Sequence, residues 1–367
     1  MRTQLPRGPR GLLRRAIAAA LLAGVLTSGT AVAARFPNLY EATVTPDPAA
    51  SDPQASAEAL ALGRVLVRVT GNRQAALDPQ LQALVSNPQI VNSRAVLQQG
   101  QRRIGFSPRA VDDALTALKW PVWGAERPLT LLWVAVDDGL GGRALLSEND
   151  FPSEAGPAMT EQLRAIRAEL GTAADERGLP IALPLLDAED LAAVTFSDVM
   201  GGFDDRVAEA STRYRADAIL IGKIRPDVTG TEVQWLLVRG GERRPLEGIG
   251  VRDGLDAVAD LYAADLSVVG GTATTLISVL DVSSAADYGR VMSYLESLSV
   301  LQSVDVDSLD RGVLSLRINA RGGAQVLERV LALGGVLSPA TSGAAQSSPA
   351  AQSGPALAFK INRGAAR

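Results

Sequence analysis

The sequence predicts a mixed architecture of α/β and α+β type, built as several small mixed α/β domains, the C-terminal one ferredoxin-like. Three observations carry this expectation. Segments with apolar residues at helical spacing alternate with segments that repeat every second residue, instead of segregating into separate blocks. Residues 129–136 are apolar almost throughout, the pattern of a strand covered on both faces. The C-terminal quarter reads strand, helix, strand, strand, helix and a final alternating run, which is the β-α-β-β-α-β order.

The first 33 residues are laid out as a secretory signal peptide. Arg2, Arg7, Arg10, Arg14 and Arg15 form a basic stretch with no acidic residue, and residues 16–29 form an apolar run. That run falls short of the roughly 20 residues that span a bilayer comfortably. Ala31-Val32-Ala33 supplies a small-x-small pattern, so cleavage is expected between Ala33 and Ala34, with export to the periplasm. An uncleaved N-terminal anchor is the alternative. A lipoprotein is excluded, because its acylation needs a cysteine and the sequence has none.

An N-terminal α+β domain is expected over 34–125. Residues 39–44 alternate as a strand. Asp52 then caps a helix running to about residue 69, whose Leu62, Val65, Leu66 and Val69 form one apolar stripe. Gly71-Asn72 suits a left-handed stop. A strand near 103–106 precedes a helix opened by Ser107-Pro108, a cap followed by proline at the first helical position.

An α/β domain is expected over 126–270. Its elements are the apolar strand, a helix near 158–177, a strand over 179–186, helical segments between 187 and 215, and a strand over 218–224. An antiparallel pair over 232–238 and 244–251 and a helix over 253–266 complete it. A ferredoxin-like domain follows over 271–367. A strand over 274–282 leads to a helix capped by Ser283, then to strands over 300–306 and 313–318 joined at Asp310-Arg311-Gly312, and to a helix over 325–333. Residues 338–355 contain little but Ala, Ser, Gly, Pro and Gln and read as a flexible insertion. Residues 356–361 alternate again and supply the last strand, the alternative being a frayed tail from Ser338 onward.

Composition limits the chemistry. The 367 residues include no histidine and no cysteine. That removes imidazole- and thiolate-based metal sites, Ser-His-Asp and Cys-His catalysis, and disulfides. Removing the signal peptide takes five of the 36 basic residues and leaves 31 against 40 acidic ones. An acidic exported chain is a poor candidate for nucleic acid, and no later stretch is long enough for direct membrane insertion. Gly248, Gly250 and Gly254 have the wrong spacing for a dinucleotide fingerprint and read as turn residues. No catalytic, cofactor-binding or metal-ligating residue is therefore assigned, and no cofactor is expected.

Two residue sets are nevertheless candidates. Asp137 and Asp138 follow a buried strand and Asp187 follows the next, where open α/β sheets place ligands. They could serve a carboxylate-dependent hydrolase or a small-ligand site, or be a turn and a helix cap. Trp120, Trp123 and Arg127 could form a contact surface, since Trp and Arg are favoured interface anchors, or could seal a domain junction.

Residues 65–72 (VLVRVTGN), Pro121-Val122-Trp123-Gly124 with Arg127-Pro128, 177–180 (RGLP) with 184–187 (PLLD), and 213–222 (RYRADAILIG) together resemble the exported proteobacterial domain-of-unknown-function 2066 family. That family carries no assigned activity, so the resemblance implies no catalytic residue. The segment RYRADAILIGKI is also similar to the helix-to-strand crossover of TolB amino-terminal domains and related envelope modules, which implies protein–protein contacts. The expected function is thus a secreted, non-enzymatic interaction module of the cell envelope, with envelope proteins as partners.

Overall fold

Asp52 accepts hydrogen bonds from the backbone N–H groups of Gln54 and Ala55 and so starts helix α1, Pro53–Thr70. Gly71, at φ 70°, ends it. The fold was obtained as a computed structural model describing residues 36–91, 94–98, 100–149, 156–227, 230–248, 250–333, 335–340 and 356–362. The signal-peptide segment, its cleavage point and most of the 338–355 tract lie outside the described residues.

The α1 stripe of Leu62, Val65, Leu66 and Val69 is fully buried. It packs with a three-stranded antiparallel sheet made of β1 (Glu41–Val44), β2 (Arg94–Gln98) and β3 (Gln101–Gly105), in the order β1-β3-β2. The short helix α2 (Gln82–Ser86) follows α1, and α3 (Pro108–Ala117) closes the unit, with Ser107 as its cap.

The central sheet has the order β5-β4-β7-β8-β9. Its strands are β4 (Thr130–Asp137), β5 (Arg143–Leu145), β7 (Ala218–Asp227), β8 (Gly230–Arg239) and β9 (Glu242–Leu246). A two-residue strand, β6 (Ile181–Ala182), pairs with the start of β4. The strand expected over 179–186 shrinks to this pair because Pro180 and Pro184 cannot donate to a ladder.

As expected for an apolar run, β4 is buried on both sides. Leu132, Val134 and Val136 face helices α4 (Gly156–Arg177) and α8 (Asp253–Leu266). Leu131, Trp133 and Ala135 belong to the opposite core, under α5 (Ala188–Ala193), α6 (Phe196–Gly201) and α7 (Asp204–Ser211). Gly254 is needed for packing: a Cβ there would lie 2.4 Å from the Trp235 ring.

In the C-terminal unit, β10 (Thr272–Leu280), α9 (Ala285–Ser297), β11 (Leu301–Asp310), β12 (Val313–Arg321) and α10 (Gly323–Leu333) follow the expected order. The cap of α9 is Ser284, one residue beyond the expected Ser283, in a reciprocal pairing with Asp287. Two further strands, β13 (Leu337–Pro339) and β14 (Ala356–Ile361), complete the sheet in the order β11-β12-β10-β14-β13.

The neighbour order thus matches the ferredoxin-like motif, but one direction differs: β14 runs parallel to β10 instead of antiparallel. The cause lies just after α10. Gly335, at φ 62°, turns the chain toward β13, and Val336 and the first strand residue Leu337 are buried. The returning direction is thereby taken by β13, and β14 comes back between it and β10. Ser338 and Pro339, expected to begin a flexible insertion, belong to this edge strand. The core on the α4 and α8 side continues into this unit, joining Leu163 and Val258 to Ile277 and Phe359. Among the described residues, no helix is long and apolar enough to cross a membrane.

Candidate functional site

Trp120, Trp123 and Trp133 are neighbours in sequence but pack with three different apolar clusters. The half-buried Trp120 donates its Nε1–H to Gln80 in the N-terminal unit, and Trp133 donates to Ser211 on the far side of the central sheet. Trp123 and Arg127 have no exposed surface at all. They therefore offer nothing to a partner, and the contact surface expected of Trp120, Trp123 and Arg127 is reduced to Trp120.

Arg127 belongs to a trio of buried arginines that tie the units together. Its guanidinium donates to the backbone oxygens of Arg68, Trp123, Gly124, Arg177 and Gly178. Arg68, on α1, donates to the backbone oxygens of Glu41 and Asp175 and to the Asp175 carboxylate. Arg177, at the end of α4, reaches Gly71 O at 2.9 Å, Asp256 at 3.1 Å and Asp260 at 2.5 Å. Burial pulls Arg127 down to about 9. Five backbone acceptors around one guanidinium nonetheless favour its charged form at neutral pH.

The structure does not bring the candidate carboxylates onto common partners. Asp137 accepts from Gly139 N–H and from Arg143, which together hold its carboxyl below the ordinary range. Asp138 accepts from the backbone of Leu140 and Gly142 within the same turn. Asp187 caps α5 and is gripped by Arg213 through both oxygens, at 2.7 and 2.8 Å, which holds its carboxyl far below the ordinary range. Asp137 and Asp187, held ionised in this way, are suited to turn and cap roles and unsuited to proton donation near neutral pH. Among the described residues, no group of three or more acidic side chains could hold a metal ion.

One concave feature with a mainly apolar lining lies beside α1. A groove of about 430 Å³ is lined by Leu60, Gly63 and Val67 of α1 and by Ala76, which packs against Gly63, and Val85. Its size and predominantly apolar lining are those of a binding cleft. Leu60 remains 48% exposed, and Leu77, next to the groove wall, is 72% exposed. At the α1 C-terminal end the lining becomes charged, with Arg73, Glu176, Arg177 and Arg252, while Arg64 lines the helix side. By contrast, the enclosed cavity between Tyr40, Asp112 and Arg321 measures about 30 Å³. That is room for about one water.

Sequence reasoning overlooked this groove, although a signal exists. Leu60, Gly63 and Val67 are spaced i, i+3 and i+7, a second stripe beside the buried one on the same helix. A family model described as a domain of unknown function (DUF8605) matches residues 33–124, the part of the chain that carries α1 and the apolar walls of the groove. No curated protein and no solved structure matches this chain.

Proposed function

We propose that the protein is a non-enzymatic interaction module of the cell envelope and that the α1 groove seats a short apolar segment of a partner protein. The observation that carries this reading is the groove itself, whose apolar side chains at Leu60 and Val67 would be covered by a partner. Strand addition is the competing way to bind a peptide, and the edges of the two larger sheets disfavour it. Pro245 lies on β9, β11 carries two register shifts, β5 is three residues long, and β13 is three residues long with Pro339 among them. The signal-peptide layout, and the resemblance to the exported domain-of-unknown-function 2066 family and to TolB amino-terminal modules, support a periplasmic setting and a protein partner. The carboxylate-hydrolase alternative draws no comparable support from Asp137, Asp138 and Asp187.

The test is photo-crosslinking in the native envelope, with the reactive amino acid placed at Leu77 beside the groove or at Leu309, an exposed position on β11. A discrete product from Leu77, absent from Leu309 and abolished by Leu60→Glu, is expected. Equal products from both positions, or a Leu77 product indifferent to Leu60→Glu, would remove the groove from the function.

A further inference from the structure

The smallest sheet has one open edge. The order β1-β3-β2 leaves β2 with a neighbouring strand on one side only. Gln98 and Gln101 are joined by two residues, a link so short that they pair only by exchanging both backbone hydrogen bonds. In the alternating ladder, Val96 with Arg103 and Arg94 with Gly105 then pair in the same way. Ala95 and Leu97 therefore turn their backbone N–H and C=O groups away from β3, and no backbone hydrogen bond among the described residues meets them there. The opposite edge is closed: the same alternation turns Glu41 O and Thr43 O outward on β1, where Arg68 and Arg64 donate to them. β2 also lacks the devices that blunt the outer strands of the larger sheets. It has no proline, its register is unbroken, and it is five residues long.

On a protein with more acidic than basic residues, this sheet is basic. Its three strands carry Arg94, Arg102 and Arg103 against one acid, Glu41, which lies on the far edge. Among the described residues, none of the three arginines has an ion-pair partner. Arg94, Val96 and Arg103 share the face opposite the buried Ala42 and Ile104; both arginines are exposed, and Val96 is 57% exposed. We infer that the β2 edge binds an extended segment of a partner protein by strand addition, and that this segment carries carboxylate side chains on its solvent face, beside Arg94. A row of outward backbone donors and acceptors is matched by another extended backbone, a pattern that a lipid surface or a nucleic acid does not present. Opposite charges on neighbouring strands stabilise their pairing and like charges oppose it. A second copy joining through β2 would double the surplus of arginines along one seam. The site lies outside the α1 groove, whose lining includes none of these residues.

The probe is acetyl-Thr-Glu-Thr-Val-Thr-Glu-Thr-amide, which sets glutamate beside Arg94 and valine beside Val96 in either strand direction. Its control has glutamine in place of glutamate, and fluorescence anisotropy with the chain from Ala34 to Arg367 measures binding. The glutamate peptide is expected to bind at least about threefold more tightly than the glutamine peptide at low salt, the difference shrinking as salt is raised. Two versions N-methylated at alternate backbone nitrogens, one for each set, are expected to differ, because only one set faces β2. Arg94→Glu is expected to abolish the preference for glutamate, and Leu60→Glu, in the groove, to leave it unchanged. Equal binding of the glutamate and glutamine peptides, or of the two methylated ones, overturns the inference, as does loss of binding in Leu60→Glu. Binding of phosphatidylglycerol vesicles but of neither peptide overturns it too, by making the arginines a lipid contact. A peptide that binds only by dissociating a dimer of this chain replaces the partner by a second copy. An unchanged thermal midpoint of Arg94→Glu, an exposed residue, separates lost binding from lost folding, and the methylated peptides test the same edge on the unaltered chain.

Discussion

The guanidinium carbon of Arg127 sits 3.7 Å from the centroid of the Trp123 ring, and neither side chain is exposed to solvent. Three segments meet at this contact: α1 approaches through Arg68 O, the end of α4 through Arg177 O and Gly178 O, and residues 123–124 through their own carbonyls. Replacing Arg127 by methionine keeps most of the packing but strands five buried acceptors. A loss of roughly 3–5 kcal/mol is expected, as for the breaking of other buried charge networks. Arg127→Lys keeps the charge but cannot fork to five carbonyls, and it should cost at least about 2 kcal/mol. Urea denaturation of both variants measures this, and a lysine variant as stable as the parent would refute the role of the fork.

Gly71 is where α1, α8 and the Trp123 ring come closest. Its φ of 70° is left-handed, and an added Cβ would lie 2.2 Å from the Ala263 Cβ, a separation that real side chains do not tolerate. Gly71→Ala therefore combines backbone strain with overpacking, each worth about 1 kcal/mol or more. A loss of roughly 2–4 kcal/mol is expected, read as a lower thermal midpoint. An unchanged midpoint would mean that the helices separate more easily than this packing implies.

These two positions also show which features were legible in the sequence. Gly71 could be read as a helix stop because a cap depends only on neighbouring residues, and the same holds for Asp52, Ser107 and Asp187. The burial of Arg127 could not be read, because its five acceptors come from residues 68, 123, 124, 177 and 178, which meet only through tertiary packing. Trp123 and Trp133 look like one cluster, yet residues ten apart near the start of a strand emerge on different layers. The groove was present as the Leu60–Gly63–Val67 stripe, but the fully buried stripe beside it accounted for the helix and left the second one unread.

Tyr40, Tyr214 and Tyr262 are held protonated beyond the ordinary range of a tyrosine. Burial, with the bond to Asp190, pushes Tyr214 up to about 12, and burial pushes Tyr262 up to about 12. Burial together with Asp112 raises Tyr40 as well. For a pKa raised on folding, the contribution to stability is fully present below the unfolded value of 10 and declines as the pH rises toward 12. An ultraviolet tyrosinate titration should thus show absorbance from these three hydroxyls only at pH values above 10, accompanied by a falling urea midpoint. A single transition near pH 10 with the fold intact would contradict the placement of these hydroxyls.

The parallel strand β14 makes the end of the chain part of the core. It lies between β10 and β13, with Phe359 fully buried and Ile361 nearly so. Stopping the chain after Ala340 would remove β14, the ladder partner of β13, and expose one side of β10, whose Ile277 and Val279 pack in the same apolar cluster. Phe359→Ala alone should cost about 3–5 kcal/mol, as for other buried aromatic truncations. The shortened chain should lose much more, and the loss should reach α8 because that core is continuous. Hydrogen exchange can follow this directly: amides of β10 and α8 should lose protection together in the truncated chain. Full protection of both would show that the sheet is complete without its last strand and that residues 356–361 are dispensable.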